Sequence, residues 1–228
     1  MNALTSSVYF GSVLSIAAYL FGTWVSRKLK IGGLPLLIAI AVTITVLLVL
    51  KIDYSTYYDS AKYISYLLTP ATVCLAIPLY EQFEHLKNNY KAVLAGIVSG
   101  VFTSLFAVLG ICMLFGLSHK EYVTFLPKSI TSAIGMAVSE ELGGYVSITV
   151  AVIILTGLMG NIFAKLFIKL FRINDPVARG VAIGTSSHAI GTARAMEIGD
   201  IEGAMSSLSI VVAGVLTVIV ASIFAGFY

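Results

Sequence analysis

The sequence predicts an all-α polytopic integral membrane protein with about six full transmembrane helices plus two re-entrant or broken helical segments. Three observations lead there. Hydrophobic residues make up 58% of the chain and charged residues 11%, whereas a soluble domain is about 45–50% apolar and about 25% charged. The apolar residues fall in runs near the length of about 20 residues that a bilayer-spanning helix needs. The densest polar cluster, "GTSSHAIGTARAMEIGD" (184–200), stands immediately before the last of those runs. A β-barrel would show short alternating strands instead.

The runs follow in order. Val8–Val25 is the first, and the charges Arg27, Lys28 and Lys30 follow it rather than precede it. It therefore reads as an uncleaved first helix with its N-terminus outside, not as a signal peptide. Leu34–Leu50 is the second. Tyr54, Tyr57, Tyr58 and Tyr63 then read as an interfacial belt. Tyr63–Tyr80 is apolar but interrupted by Pro70 and Pro78. Ala92–Leu117, Val146–Ala164 and Ala204–Tyr228 complete the clear spans.

Charge distribution sets the expected topology. Arg27, Lys28 and Lys30 form one basic cluster, and Lys165, Lys169, Arg172 and Arg179 form another. The positive-inside rule places both in the cytoplasm, so an even number of crossings must separate them. The stretches 34–50, 63–80, 92–117, 123–140 and 146–164 are one too many. The stretch "FLPKSITSAIGMAVSEELGG" (125–144) is the least lipid-like and is expected to enter and leave by one face. Irregular backbone at membrane depth survives only where protein buries it or a watery cavity receives it. Residues 67–80, with two prolines, are the other candidate.

Internal similarity supports this choice. Ala-Ile-Gly recurs at 133–135 and 189–191, Glu141 matches Glu197, and Gly143 matches Gly199. Each copy runs into a long apolar stretch, and residues 69–78 carry a fainter third copy. The pattern predicts an inverted repeat of units 123–171 and 180–228 within a single 1–228 membrane domain, as in secondary transporters.

Ionisable side chains at membrane depth are costly and need a reason. Arg194 has a planar fork suited to a carboxylate, or it pairs with Glu197 three residues on. His188, beside Thr185, Ser186 and Ser187, titrates where a proton-coupled carrier would use it, or it is a hydrogen-bonded core residue. Lys128, with Ser129 and Thr131, opens the other broken segment. There a half-helix N-terminus and a lysine together favour an anion, unless the lysine only snorkels. Glu197 and Glu141 are candidates for coupling or ion pairing. Gly135, Gly184, Gly191 and Ala193 also suit close helix packing.

Other chemistry is not expected. No GxSxG, HExxH, P-loop or dinucleotide fingerprint occurs, so neither catalysis nor a cofactor or metal is expected. A formal charge of +3 implies no nucleic-acid partner. Cys74 and Cys112 read as small core residues.

The segments "TPATVCLAIPLY" (69–80), "LPKSITSAIGMAVSEELGG" (126–144), "NDPVARG" (174–180) and "GTSSHAIGTARAMEIGDIEGAMSSL" (184–208) resemble the LrgB/CidB family. The resemblance extends over nearly the whole chain and is densest in its last two-thirds. It implies a multi-pass protein of the bacterial plasma membrane, with two competing functions. One is holin/antiholin-like modulation of murein hydrolase activity and autolysis. The other is transport of small monocarboxylates, such as pyruvate, or the glycolate and glycerate of a related plant chloroplast carrier. It also implies a separate LrgA/CidA-type membrane subunit and an oligomer. The costly polar features at 125–144 and 184–200 favour the carrier, because a holin-like lesion needs none of them.

Overall fold

The computed structural model describes residues 7–29, 35–67, 70, 73–74 and 76–228. Lys30 and parts of the 69–78 stretch lie outside the described residues. Among the described residues every regular element is a helix. The chain forms two compact units, Met1–Cys74 and Leu75–Tyr228.

The first unit holds α1 (Phe10–Leu29), α2 (Pro35–Val49) and α3 (Tyr54–Ser65). Arg27 and Lys28 occupy the last turn of α1, where a cation complements the helix dipole. α2 begins on Pro35, whose fixed φ suits a first helical position. Polar contacts tie α1 to α3: the Gly11 N–H donates to Ser60 Oγ at 2.8 Å, and Ser15 Oγ shares a 2.7 Å bond with Tyr57. The predicted tyrosine belt is thus one short helix. Cys74 is exposed rather than a core residue, while Cys112 is buried.

The second unit holds α4 (Ala76–Glu81), α5 (Phe83–Phe115), α6 (His119–Phe125), α7 (Ser132–Glu141), α8 (Val146–Leu170), α9 (Pro176–Ile198) and α10 (Asp200–Ala225). α5 starts nine residues before the apolar run because hydropathy marks the bilayer, and a helix can continue past it into water. It ends on Gly116, whose φ of 62° lets the Leu117 N–H turn back to Cys112 O at 3.0 Å. α6 then opens with a capping box between Ser118 and Glu121. The Ser118 backbone N–H, with its hydroxyl, holds the Glu121 carboxyl below its ordinary pKa.

The segment expected to break does so. α6 and α7 are separate short helices, and the turn between them contains Pro127, which lacks a donor N–H. α8 gathers both: fully buried Thr149 donates to Thr124 O of α6 at 2.9 Å and to Ser139 Oγ of α7 at 2.7 Å. α9 also breaks. Asp175 caps its start by accepting the Ala178 N–H at 2.9 Å, and helical geometry fails at His188 (φ 42°, ψ −144°).

The core lies where α9 and α10 pack along their lengths, flanked by α5 and α8. Small residues make that approach possible: a Cβ on Gly180 would lie 2.7 Å from Met205 Cβ, and one on Gly184 would lie 2.7 Å from Ser209 Cβ. One stripe of α5 (Val93, Ile97, Val101, Leu105, Val108, Cys112) closes the core against α6 and α10. Outward-facing side chains stay apolar, with Leu155 59%, Met159 54%, Val211 63% and Ile219 62% exposed. A soluble monomer rarely shows such a face. Among the described residues, three helices are long and apolar enough to cross a membrane: Lys87–Phe115, Val146–Leu170 and Asp200–Ala225. The molecule is an all-α, multi-pass membrane protein.

Candidate functional site

A cavity of about 740 Å³ opens between α5 and the first half of α9. On α5 its wall is Gly96, Ser99, Gly100, Thr103, Ser104 and Ala107, residues three or four apart and therefore on one helical face. On α9 the wall is Ala178, Ala182, Thr185 and Ser186, and the α6–α7 turn contributes Lys128 and Ser129. Asp175 and Asn89 also line it. Gly100 marks the close crossing, since a Cβ there would meet Thr185 Oγ1 at 3.1 Å.

The polar groups form a short connected line. Lys128 Nζ donates to Ser129 Oγ at 3.1 Å, and Ser129 Oγ shares a 2.8 Å bond with Ser104 Oγ. Thr185 donates to Val181 O at 2.7 Å and Ser186 to Ala182 O at 2.7 Å, as helical hydroxyls do when no better acceptor is near. An ammonium among hydroxyls in a largely apolar cavity offers charge-assisted donors to an anion.

Of the residues singled out in the sequence, Lys128, Ser129, Thr185 and Ser186 meet at this cavity. The others lie elsewhere. α7 starts at Ser132 with Thr131 as its N-cap, so Lys128 sits in the preceding turn rather than at the helix end. Ser187 is buried, its Oγ 3.0 Å from Ser186 Oγ. His188 is the break in α9. Its Nε2 lies 2.8 Å from Ile153 O, and its ring fills the space over Gly157, where a Cβ would be 2.6 Å from Cε1. Thr192 donates to the His188 carbonyl and shares a 2.7 Å bond with Ser206 of α10.

Arg194 is buried on the second half of α9 and pairs with Glu197, while its Nε has no hydrogen-bond partner among the described residues. Glu141 is exposed at the end of α7. The α5 stripe was missed by reading residues 92–117 as a plain span. The signal was there: glycine, alanine and hydroxyls recur at helical spacing inside an otherwise apolar run. Among the described residues, no group of three His, Cys, Asp or Glu side chains stands together to hold a metal ion.

Comparison with known proteins adds a decisive observation. The model of the LrgB-like family matches residues 15–227. The chain belongs to the LrgB-like family. It is 37% identical to the antiholin-like protein LrgB of Bacillus cereus over 227 residues, 99% of both chains. It stands at the same identity and coverage to the antiholin-like protein LrgB of Bacillus anthracis. No solved structure matches it. Within this LrgB-like chain the family match includes every cavity-lining residue.

Proposed function

We propose that the protein is a carrier of small monocarboxylates rather than a catalyst, and that the α5–α9 cavity is its substrate site. The observation that supports this best is Lys128, held in a hydroxyl-lined cavity between α5, which reads as a membrane span, and the first half of α9. An ionisable group at that depth is costly unless it has a ligand or partner, and a small carboxylate fits its chemistry. Lys128 and Ser129 take the carboxylate, and Thr185, Ser186 and the α5 hydroxyls complete the path.

Arg194 extends the same path beyond the break in α9, and its buried Nε, without a hydrogen-bond partner among the described residues, supports that assignment. Arg194→Lys should insert normally yet lose most saturable uptake, because a planar fork holds a carboxylate in two bonds and an ammonium holds it as a point charge. A purely structural pair with Glu197 would tolerate lysine, and uptake would then match the parent. His188, at the break, is the group we assign to proton coupling.

The two broken segments each lead into a long helix, α7 into α8 and the second half of α9 into α10. This supports the inverted repeat with about six full spans, in a bacterial plasma membrane with both basic clusters inside. Cysteines at Lys28 and Arg172, in a background lacking Cys74 and Cys112, should be labelled only from the cytoplasmic side. Labelling from opposite sides would remove the repeat argument.

The carrier works in an oligomer with a separate LrgA/CidA-type subunit. Counterflow uptake of pyruvate, lactate, glycolate and glycerate in proteoliposomes, with and without that subunit, tests the reading. The antiholin-like name of the relatives favours a second reading, a regulator of murein hydrolase activity without a substrate site. Absence of saturable uptake under every condition would select it.

A further inference from the structure

Two buried side-chain polar atoms have no hydrogen-bond partner among the described residues, Asn161 Oδ1 and Arg194 Nε. The first is an acceptor on α8, and the second is a donor on the second half of α9. Asn161 Nδ2 donates to Ile190 O at 3.1 Å. That bond fixes the orientation of the amide, since a flipped amide would set its oxygen against a carbonyl oxygen. Oδ1 is therefore an acceptor that points away from Ile190 O and meets no donor of the described residues.

Arg194 follows Ile190 by one helical turn and so shares its face. That face is turned to α8. Ile190 Cδ1 lies 2.9 Å from where a Cβ on Gly157 would stand, and Ile198, one turn beyond Arg194, shares a hydrophobic cluster with Ala164 and Ile168 of α8. Gly157, Asn161, Ala164 and Ile168 are spaced three or four apart and form the matching face of α8. Arg194 thus stands in the seam opposite the Asn161 turn. Glu197, which is largely exposed, engages Nη1, while Nε is sealed from solvent.

A buried donor and a buried acceptor without partners are each costly, and one group that both accepts and donates relieves the two together. A carboxylate in this seam would set its oxygens against Oδ1, and a cation would face the guanidinium. A water molecule meets both demands. We propose that Asn161 is a positioning residue for Arg194, acting through one water that accepts from Arg194 Nε–H and donates to Asn161 Oδ1. This rests on the carrier reading, in which Arg194 belongs to the substrate path, and adds what orients its guanidinium. The same amide holds Ile190 O, two residues past the break at His188. Asn161 thus ties the broken turn and the cation to one point of α8, so its loss shifts the fork without removing it.

The test is a double-substitution cycle on Asn161→Leu and Arg194→Lys. It is read as the unfolding midpoint in detergent, and as counterflow uptake in proteoliposomes of whichever of pyruvate, lactate, glycolate and glycerate the parent takes up best, with and without the partner subunit. Leucine removes both polar atoms of the amide, and lysine has no N–H at the Nε position. Either change alone breaks the bridge, so the double variant should lose clearly less midpoint than the sum of the two single losses. In uptake, Asn161→Leu should raise KM roughly tenfold with little change in kcat, the mark of a misplaced binding group. It should raise KM no further in the residual uptake of Arg194→Lys. Asn161→Ala repeats the cycle without adding volume to the seam.

Additive midpoint losses overturn the proposal and leave Asn161 as a partner of Ile190 O alone. An unchanged KM in Asn161→Leu, or a KM rise of the same size in the Arg194→Lys background, also overturns it while leaving the carrier reading intact. A parent that takes up none of the four acids overturns the carrier reading, and the midpoint cycle then decides the bridge by itself.

Discussion

Gly184→Ala is expected to lower stability by about 2 kcal/mol, within the range for forcing extra atoms into a packed core. The added methyl has nowhere to go: it would strike the Ser206 carbonyl oxygen and lie 2.8 Å from Ser206 Cα and 2.7 Å from Ser209 Cβ. Two of those atoms are backbone, so no side-chain rotation relieves the contact, and α9 and α10 must separate along their shared core. The opposing term is small, since alanine favours a helix over glycine by roughly 0.5–1 kcal/mol. Gly110 of α5 provides the control, because a Cβ there meets nothing within 4 Å. Gly110→Ala should be neutral or slightly stabilising. Buried Cys112 can report unfolding in detergent through a thiol-reactive dye, in a Cys74→Ser background. Equal midpoints for the two variants would mean that α9 and α10 are not in close backbone contact.

Lys128→Gln should reduce kcat/KM for carboxylate uptake by about tenfold or more, as hydrogen bonds to charged groups contribute about 1.5–3 kcal/mol. Glutamine keeps a donor near Ser129 but removes the charge that balances the carboxylate. Lys128→Arg, which keeps the charge, should retain part of the activity. The side chain lines the cavity with its Nζ 3.1 Å from Ser129 Oγ, which is why the effect should fall on uptake rather than on membrane insertion. Unchanged kinetics in a normally inserted Lys128→Gln protein would assign the lysine to snorkelling and move the anion site elsewhere.

The sequence by itself determined the all-helical membrane class, because span length and lack of charge are properties of a run of residues and need no partner. It also located both breaks. Pro127 among hydroxyls and charges cannot continue a lipid-facing helix, and the polar cluster around His188 cannot face lipid. Lys128, Ser129, Thr185 and Ser186 were legible as site candidates for that reason. Tertiary structure decided the rest. A stripe such as Gly96, Ser99, Gly100, Thr103 and Ser104 suits a cavity wall and a tight helix contact equally, and only the crossing with α9 makes it a wall. His188, Arg194 and Thr185 are close in sequence, yet only Thr185 reaches the cavity. The non-helical geometry at His188 redirects the second half of α9, so helical spacing no longer predicts which residues share a face beyond it.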